Sequence, residues 1–157
     1  MDFELSDDQL ALREAARALL DDLASPERVR AHLAGGQPYD EKLWSAMVDQ
    51  GWLGVDLAED AGGLGLGFVE AVVLMEEVGR HVAPAPFYPT VLALTAAAGT
   101  PWAGVLLEGG IGAVGWRRRA GEAALVPYAP VADVAVIGSP DGVVVHDLRG
   151  GARPQAE

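Results

Sequence analysis

The chain has 157 residues, half of them hydrophobic and 22% charged, which supplies enough apolar surface for a packed core and excludes a wholly disordered chain. Its 23 acidic residues outnumber 11 lysines and arginines, for a formal charge of −12, and this excludes a nucleic-acid surface, which needs clustered cations. The absence of cysteine removes disulfides, thiolate metal sites and a cysteine nucleophile.

The first half reads as helices with clear punctuation. Ser6 to Gln9 has the S-x-x-Q form of a capping box, and Leu10, Leu12, Ala16, Leu19, Leu20 and Leu23 follow at helical spacing. Ser25-Pro26 restarts the chain as N-cap and first helical residue, and Gly35-Gly36 stops it. Asp40 caps a third helix that carries Leu43, Trp44, Met47 and Val48 and ends at Gly51. The glycine-rich stretch from Gly51 to Gly67 is a loop anchored by apolar side chains.

Helical spacing returns at Phe68 and runs through Val69, Val72, Val73, Met75 and Val78 to an end near Gly79-Arg80. A fifth helix is predicted from Thr90, after the proline-rich PAPFYP, and a short sixth from Thr100-Pro101 through Leu107. Beyond Gly109 the runs Ile111 to Trp116, Glu122 to Pro127, Val134 to Ile137 and Val143 to Asp147 read as strands, with a hairpin turn at Ser139 to Gly142. The fold expected is therefore α+β: an all-helical bundle of five to six helices over residues 1–109, then a small antiparallel β segment over 110–149. Residues 150–157, which lack core-forming side chains, are expected to form a loose tail.

Gly110, Gly112 and Gly115 match G-x-G-x-x-G, with Asp133 further along. A dinucleotide site needs a strand before that pattern and a helix after it, to set the pyrophosphate on the helix N-terminus. Here a helix precedes it and only WRRRA stands between Gly115 and the next glycine. The pattern is read as a turn leading into a strand, and a small NAD-binding protein is set aside.

The other candidates are sparse. His32, His81 and His146 have no neighbours at metal-ligand or triad spacing, so no metal site is expected. One of Glu76 and Glu77 must face the interior or its rim, as a general base or as a buried acid satisfied by backbone or by an arginine such as Arg80. Trp44, Trp52 and Trp102 are read as packing residues. The N-terminus is acidic where a signal peptide would be basic. Pro84, Pro86, Pro89, Gly99 and Pro101 interrupt the most apolar region, so a cytoplasmic chain without membrane insertion is expected.

The segments DFELSDDQLALREAARALL and LWSAMVDQGWLGVDLAEDAGGLGLGFVEAVVLMEEVGR resemble the N-terminal helical domain of the acyl-CoA dehydrogenase family. Trp44, Gly51, Leu53, Gly54, Gly62, Gly63, Leu64, Gly65, Glu76, Glu77, Gly79 and Arg80 carry the resemblance in order. It implies removal of two hydrogens from an acyl-CoA thioester, a carboxylate taking the α proton and FAD the β hydride. It also implies a helical domain, a β-domain and a C-terminal helical domain, assembled as homo- or hetero-oligomers of acyl-CoA dehydrogenase-like chains.

Three departures from the family pattern stand out. The resemblance places the catalytic glutamate in a C-terminal domain that this chain does not carry, so no catalytic residue is assigned. The family's A-L-T-E-P-x-x-G-S-D loop has no counterpart. Its W-I-[ST] flavin-contact strand falls on Leu125, Val126 and Pro127, where leucine does not stack as tryptophan does and proline has neither hydroxyl nor N–H. These residues are the positional candidates for cofactor contact. The expectation is a truncated or degenerate acyl-CoA dehydrogenase-like chain, inactive without a fuller partner; the alternative is a non-catalytic helical interaction module that has lost flavin binding.

Overall fold

The computed structural model describes residues 4–117, 119 and 125–150. Six α-helices come first: α1 (Asp7–Leu23), α2 (Pro26–Gly35), α3 (Glu41–Asp49), α4 (Phe68–Arg80), α5 (Phe87–Ala97) and α6 (Pro101–Leu107). Two 3-10 turns, Trp52–Gly54 and Glu59–Ala61, lie between α3 and α4. Three strands follow: β1 (Gly112–Trp116), β2 (Val134–Ser139) and β3 (Gly142–Asp147).

Local chemistry sets most helix starts. The Ser6 hydroxyl accepts from the Gln9 amide while the Gln9 side chain accepts from the Ser6 amide, closing the capping box. Ser25, Asp40 and Thr100 each accept an amide of the first turn of α2, α3 and α6. α5 starts at Phe87, earlier than its sequence predicts, and takes in Pro89. Proline is tolerated there because first-turn N–H groups have no intrahelical acceptor.

α4 ends at Arg80, as its sequence predicts, but without a glycine at the left-handed position. Gly79 lies inside the helix, and the left-handed residue after it is Val82, with φ of +50°. The Val82 N–H donates to Gly79 O at 3.1 Å and the Ala83 N–H to Val78 O at 3.1 Å, the paired bonds of a Schellman ending. A β-branched residue thus occupies the position that glycine normally takes.

One core joins helices and sheet. Leu20, Leu43, Met47, Leu53, Leu74, Phe87, Leu94 and Leu106 are each no more than 1% exposed. The rings of Trp52 and Phe87 meet edge to face at 6.0 Å, and the Trp44 indole donates to Gly109 O at 2.9 Å. α1 packs on α4, and α5 lies against α6 and β1.

The sheet order is β1-β2-β3, with β2 and β3 antiparallel and β1 and β2 parallel, Gly112 opposite Val134. The segment is therefore mixed rather than purely antiparallel, because a long connection, not a hairpin, joins β1 to β2. Within the predicted strand Glu122 to Pro127, residues 122–124 lie outside the described residues and Leu125, Val126 and Pro127 belong to no strand. Of the predicted tail, residues 151–157 lie outside the described residues.

α5 and β1 approach unusually closely. A Cβ on Gly112 would come within 2.6 Å of the Ala93 Cβ and 3.0 Å of the Thr90 Cα. Thr90, fully buried, uses the same contact: its hydroxyl accepts from Gly112 N at 3.0 Å and donates to Gly112 O at 3.4 Å.

Candidate functional site

Gly110 precedes β1, and Gly112 and Gly115 lie within it, after α6 and with no helix following among the described residues. The Asp133 carboxylate accepts from Ile111 N at 2.8 Å and is committed to the backbone at the base of the sheet. The glycine pattern builds a loop-to-strand corner, without the strand–turn–helix unit that a pyrophosphate requires.

Of the two candidate acids on α4, Glu77 faces inward. Its side chain is fully buried, whereas that of Glu76 is half exposed and pairs with Arg80 at 2.9 Å. Arg17 on α1 grips Glu77 with both arms of its guanidinium, Nη2 to Oε1 at 2.8 Å and Nε to Oε2 at 3.2 Å. The Arg80 Nε stands 3.5 Å from the same Oε1. Hydrogen bonding from Arg17 holds the Glu77 carboxyl below its ordinary range despite its burial. A general base acting near neutral pH needs a raised value, so Glu77 is a structural anion that ties α4 to α1.

His81 extends this cluster. Its Nδ1 lies 2.8 Å from Glu77 O and its Nε2 3.0 Å from the Asp21 carboxylate. Among the described residues no group of three or more His, Cys, Asp or Glu side chains could hold a metal ion.

The GGLGLG loop shapes the most conspicuous surface. Its backbone is zipped to the preceding turn: Leu64 N donates to Gly54 O, Gly65 N to Leu57 O and Leu66 N to Val55 O, at 2.8 to 3.1 Å. Gly63 is obligatory there, because an added Cβ would overlap the Leu57 carbonyl. Held this way, Leu64 and Leu66 project outward and continue into Phe68, Val69 and Val72 on the outer face of α4. All five are 44 to 66% exposed, although the opposite face of the helix buries Ala71, Leu74 and Glu77 in the core. Helical spacing alone assigns these valines inward; a helix apolar on more than one face exposes one of them until something covers it.

A second apolar area lies on the sheet. Trp116 rests against the Cα of Gly138 and remains 63% exposed, with Val143, 58% exposed, in the same row across the sheet. The positional cofactor candidates lie in the connection between β1 and β2. Leu125 is 93% exposed, Val126 is partly buried, and Pro127 begins the turn that seats Tyr128. No helix among the described residues is long and apolar enough to cross a membrane.

The family model described as acyl-CoA dehydrogenase, N-terminal domain, matches residues 6–102. The chain is 37% identical over 90 residues to acyl-CoA dehydrogenase IpdE2 of Mycolicibacterium smegmatis, a match covering 57% of this chain and 29% of that protein. It is 37% identical over 100 residues to IpdE2 of Mycobacterium tuberculosis, covering 62% and 31%. Among solved structures, the ChsE4-ChsE5 complex from Mycobacterium tuberculosis superposes with a TM-score of 0.78 at 24% identity, over 92% of this chain and 48% of that one. A variant of the Tcur3481-Tcur3483 steroid ACAD gives a TM-score of 0.70 at 30% identity, over 91% and 48%. The chain thus spans under a third of these curated relatives and about half of these solved chains.

Proposed function

Because the chain belongs to the acyl-CoA dehydrogenase family through its N-terminal domain, we propose that it is the helical portion of an FAD-dependent acyl-CoA dehydrogenase-like assembly. In this reading a further acyl-CoA dehydrogenase-like polypeptide completes the site. That polypeptide supplies the carboxylate that removes the α proton of an acyl-CoA thioester, and bound FAD accepts the β hydride. The contribution of this chain is architectural: the GGLGLG loop and α4, braced on α1, present a preformed surface on which the rest of the assembly packs.

The observation that carries this reading is the apolar ridge of Leu64, Leu66, Phe68, Val69 and Val72, five large apolar side chains left 44 to 66% exposed on the loop and the outer face of α4, the kind of surface that marks an interaction site. The ChsE4-ChsE5 relative is a complex of two named components, which supports a partner of the same kind. Glu77 supports it from the other side, since the buried acid of this chain is already committed to Arg17.

A second reading is favoured by Leu125, Val126 and Pro127. An exposed leucine and a proline without N–H, outside any strand, fit neither stacking on a flavin nor hydrogen bonding to it. On that reading the chain is a non-catalytic interaction module.

Visible absorption of the purified protein with FAD, alone and after co-expression with an acyl-CoA dehydrogenase-like partner, tests both. Bound flavin that appears only with the partner supports the shared assembly. Flavin bound by the chain alone overturns the requirement for a partner. A stable complex without flavin supports the interaction module.

A further inference from the structure

The apolar ridge has charges set into it. Gly65 separates Leu64 from Leu66, and a Cβ there would meet the Glu59 Cγ at 3.1 Å and its Oε1 at 3.6 Å. Gly67 separates Leu66 from Phe68, and a Cβ there would meet the Glu70 Oε2 at 2.9 Å. The two glycines thus let two carboxylates lie among the exposed apolar side chains, one on each side of Leu66.

Neither acid has a cation. Glu70 accepts from the neutral Gln9 amide at 2.9 Å, and the Glu59 side chain makes no hydrogen bond or ion pair among the described residues. Arg13, one turn after Gln9 on α1, pairs with neither. From Leu43 to Gly79 the sequence holds no lysine or arginine. An uncharged apolar face laid on the ridge would strip water from both carboxylates with nothing in exchange.

We propose that the segment covering this ridge is cationic and amphipathic, with apolar side chains on Leu64, Leu66, Phe68 and Val69 and lysines or arginines between them that reach Glu59 and Glu70. This rests on the ridge being an interface, as argued above, and adds the chemistry of what covers it. Opposite charges set among apolar contacts fix register and reject uncharged or acidic partners. An anionic lipid surface is repelled by the same two acids, and a second copy of this chain, at a formal charge of −12, brings no surplus of cations.

Titration of the ¹⁵N-labelled chain with an amphipathic helical peptide of leucine and lysine tests it, with the leucine–glutamate counterpart as control. Shifts clustered from Leu64 to Val72 are expected. Glu59→Gln with Glu70→Gln should weaken binding about fivefold, as two surface charge pairs supply. Asp22→Asn with Asp141→Asn removes the same charge from exposed sites elsewhere and should leave affinity unchanged. Equal binding of the glutamate peptide, no effect of the Gln pair, or an equal loss in the Asn pair would overturn the proposal. Leu66→Ser with Phe68→Ser reports on the ridge separately: lost binding keeps it as the interface, and unchanged binding removes that reading too. Self-association, or binding to phosphatidylglycerol vesicles, that these serine variants abolish would put a second copy or a membrane on the ridge and overturn the cationic partner.

Discussion

Arg17 and Glu77 are 60 residues apart in the chain, yet their side chains form a two-point hydrogen-bonded pair across the α1–α4 interface at 2.8 and 3.2 Å. The carboxylate is fully buried and the guanidinium is partly exposed, so the ion that has lost its water has a fixed partner and the other keeps some solvation. Replacing Glu77 by Gln keeps the shape and removes the charge, leaving Arg17 and Arg80 beside a neutral amide. The expected cost is about 2 kcal/mol at neutral pH, measured by urea unfolding.

The pH dependence follows from the same pair. Because the folded-state value of Glu77 lies below the ordinary carboxyl value of 4.5, its contribution is complete above that value and disappears as pH falls through the lowered one. The stability gap between the native chain and Glu77→Gln should therefore be constant at neutral pH and close in acid. A gap that widens in acid would contradict the assignment of Glu77 as an ionised partner.

Val82 offers a gain instead of a loss. Its φ of +50° places a β-branched side chain in the left-handed region at the Schellman end of α4. Glycine there removes the steric cost, offset in part by the extra freedom of glycine in the unfolded chain. Val82→Gly is expected to stabilise by about 0.5–1 kcal/mol. A lower melting temperature would mean that the contacts of the Val82 side chain outweigh its backbone strain.

What the sequence discloses is mainly what acts over short distances. The caps at Ser6, Ser25, Asp40 and Thr100 are legible because donor and acceptor lie within three residues of each other. The pair Glu76-Glu77 is legible as a site of one inward acid, but its main partner Arg17 is not, since nothing local links α1 to α4. Thr90 with Gly112, and Asp133 with Ile111, are likewise invisible at separations of 22 residues. The parallel pairing of β1 and β2 escapes for a related reason: strand patterns give the elements but not the direction in which they meet. At the candidate site, the loop glycines are readable, while the outward placement of Phe68, Val69 and Val72 depends on which neighbour covers α4.

Gly112 tests the joint between helices and sheet. Gly112→Ala places a methyl group 2.6 Å from the Ala93 Cβ and against the backbone at Thr90, a collision that side-chain rotation cannot relieve. A loss of about 1–3 kcal/mol is expected. Combining it with Ala93→Gly should recover part of that loss, because the closest atom is gone. A double variant no better than the sum of the two single ones would place the strain elsewhere.

The apolar ridge gives a prediction that separates interaction from folding. Leu66 and Phe68 are more than half exposed and Val72 is 44% exposed, and none belongs to the buried core, so Leu66→Ser, Phe68→Ser and Val72→Ser leave that core intact. Ser, Phe and Val have similar helix propensities, so the expected cost in unfolding free energy, about 1–3 kcal/mol, comes from the part of each side chain that is buried in the isolated chain. Self-association, or capture of a co-expressed acyl-CoA dehydrogenase-like chain, should fall much further, because burial at about 25 cal/mol per Å² acts only in the complex. Sedimentation velocity read beside thermal unfolding distinguishes the two effects. Unchanged association with a large drop in melting temperature would show that the ridge belongs to the fold and that the partner binds another face.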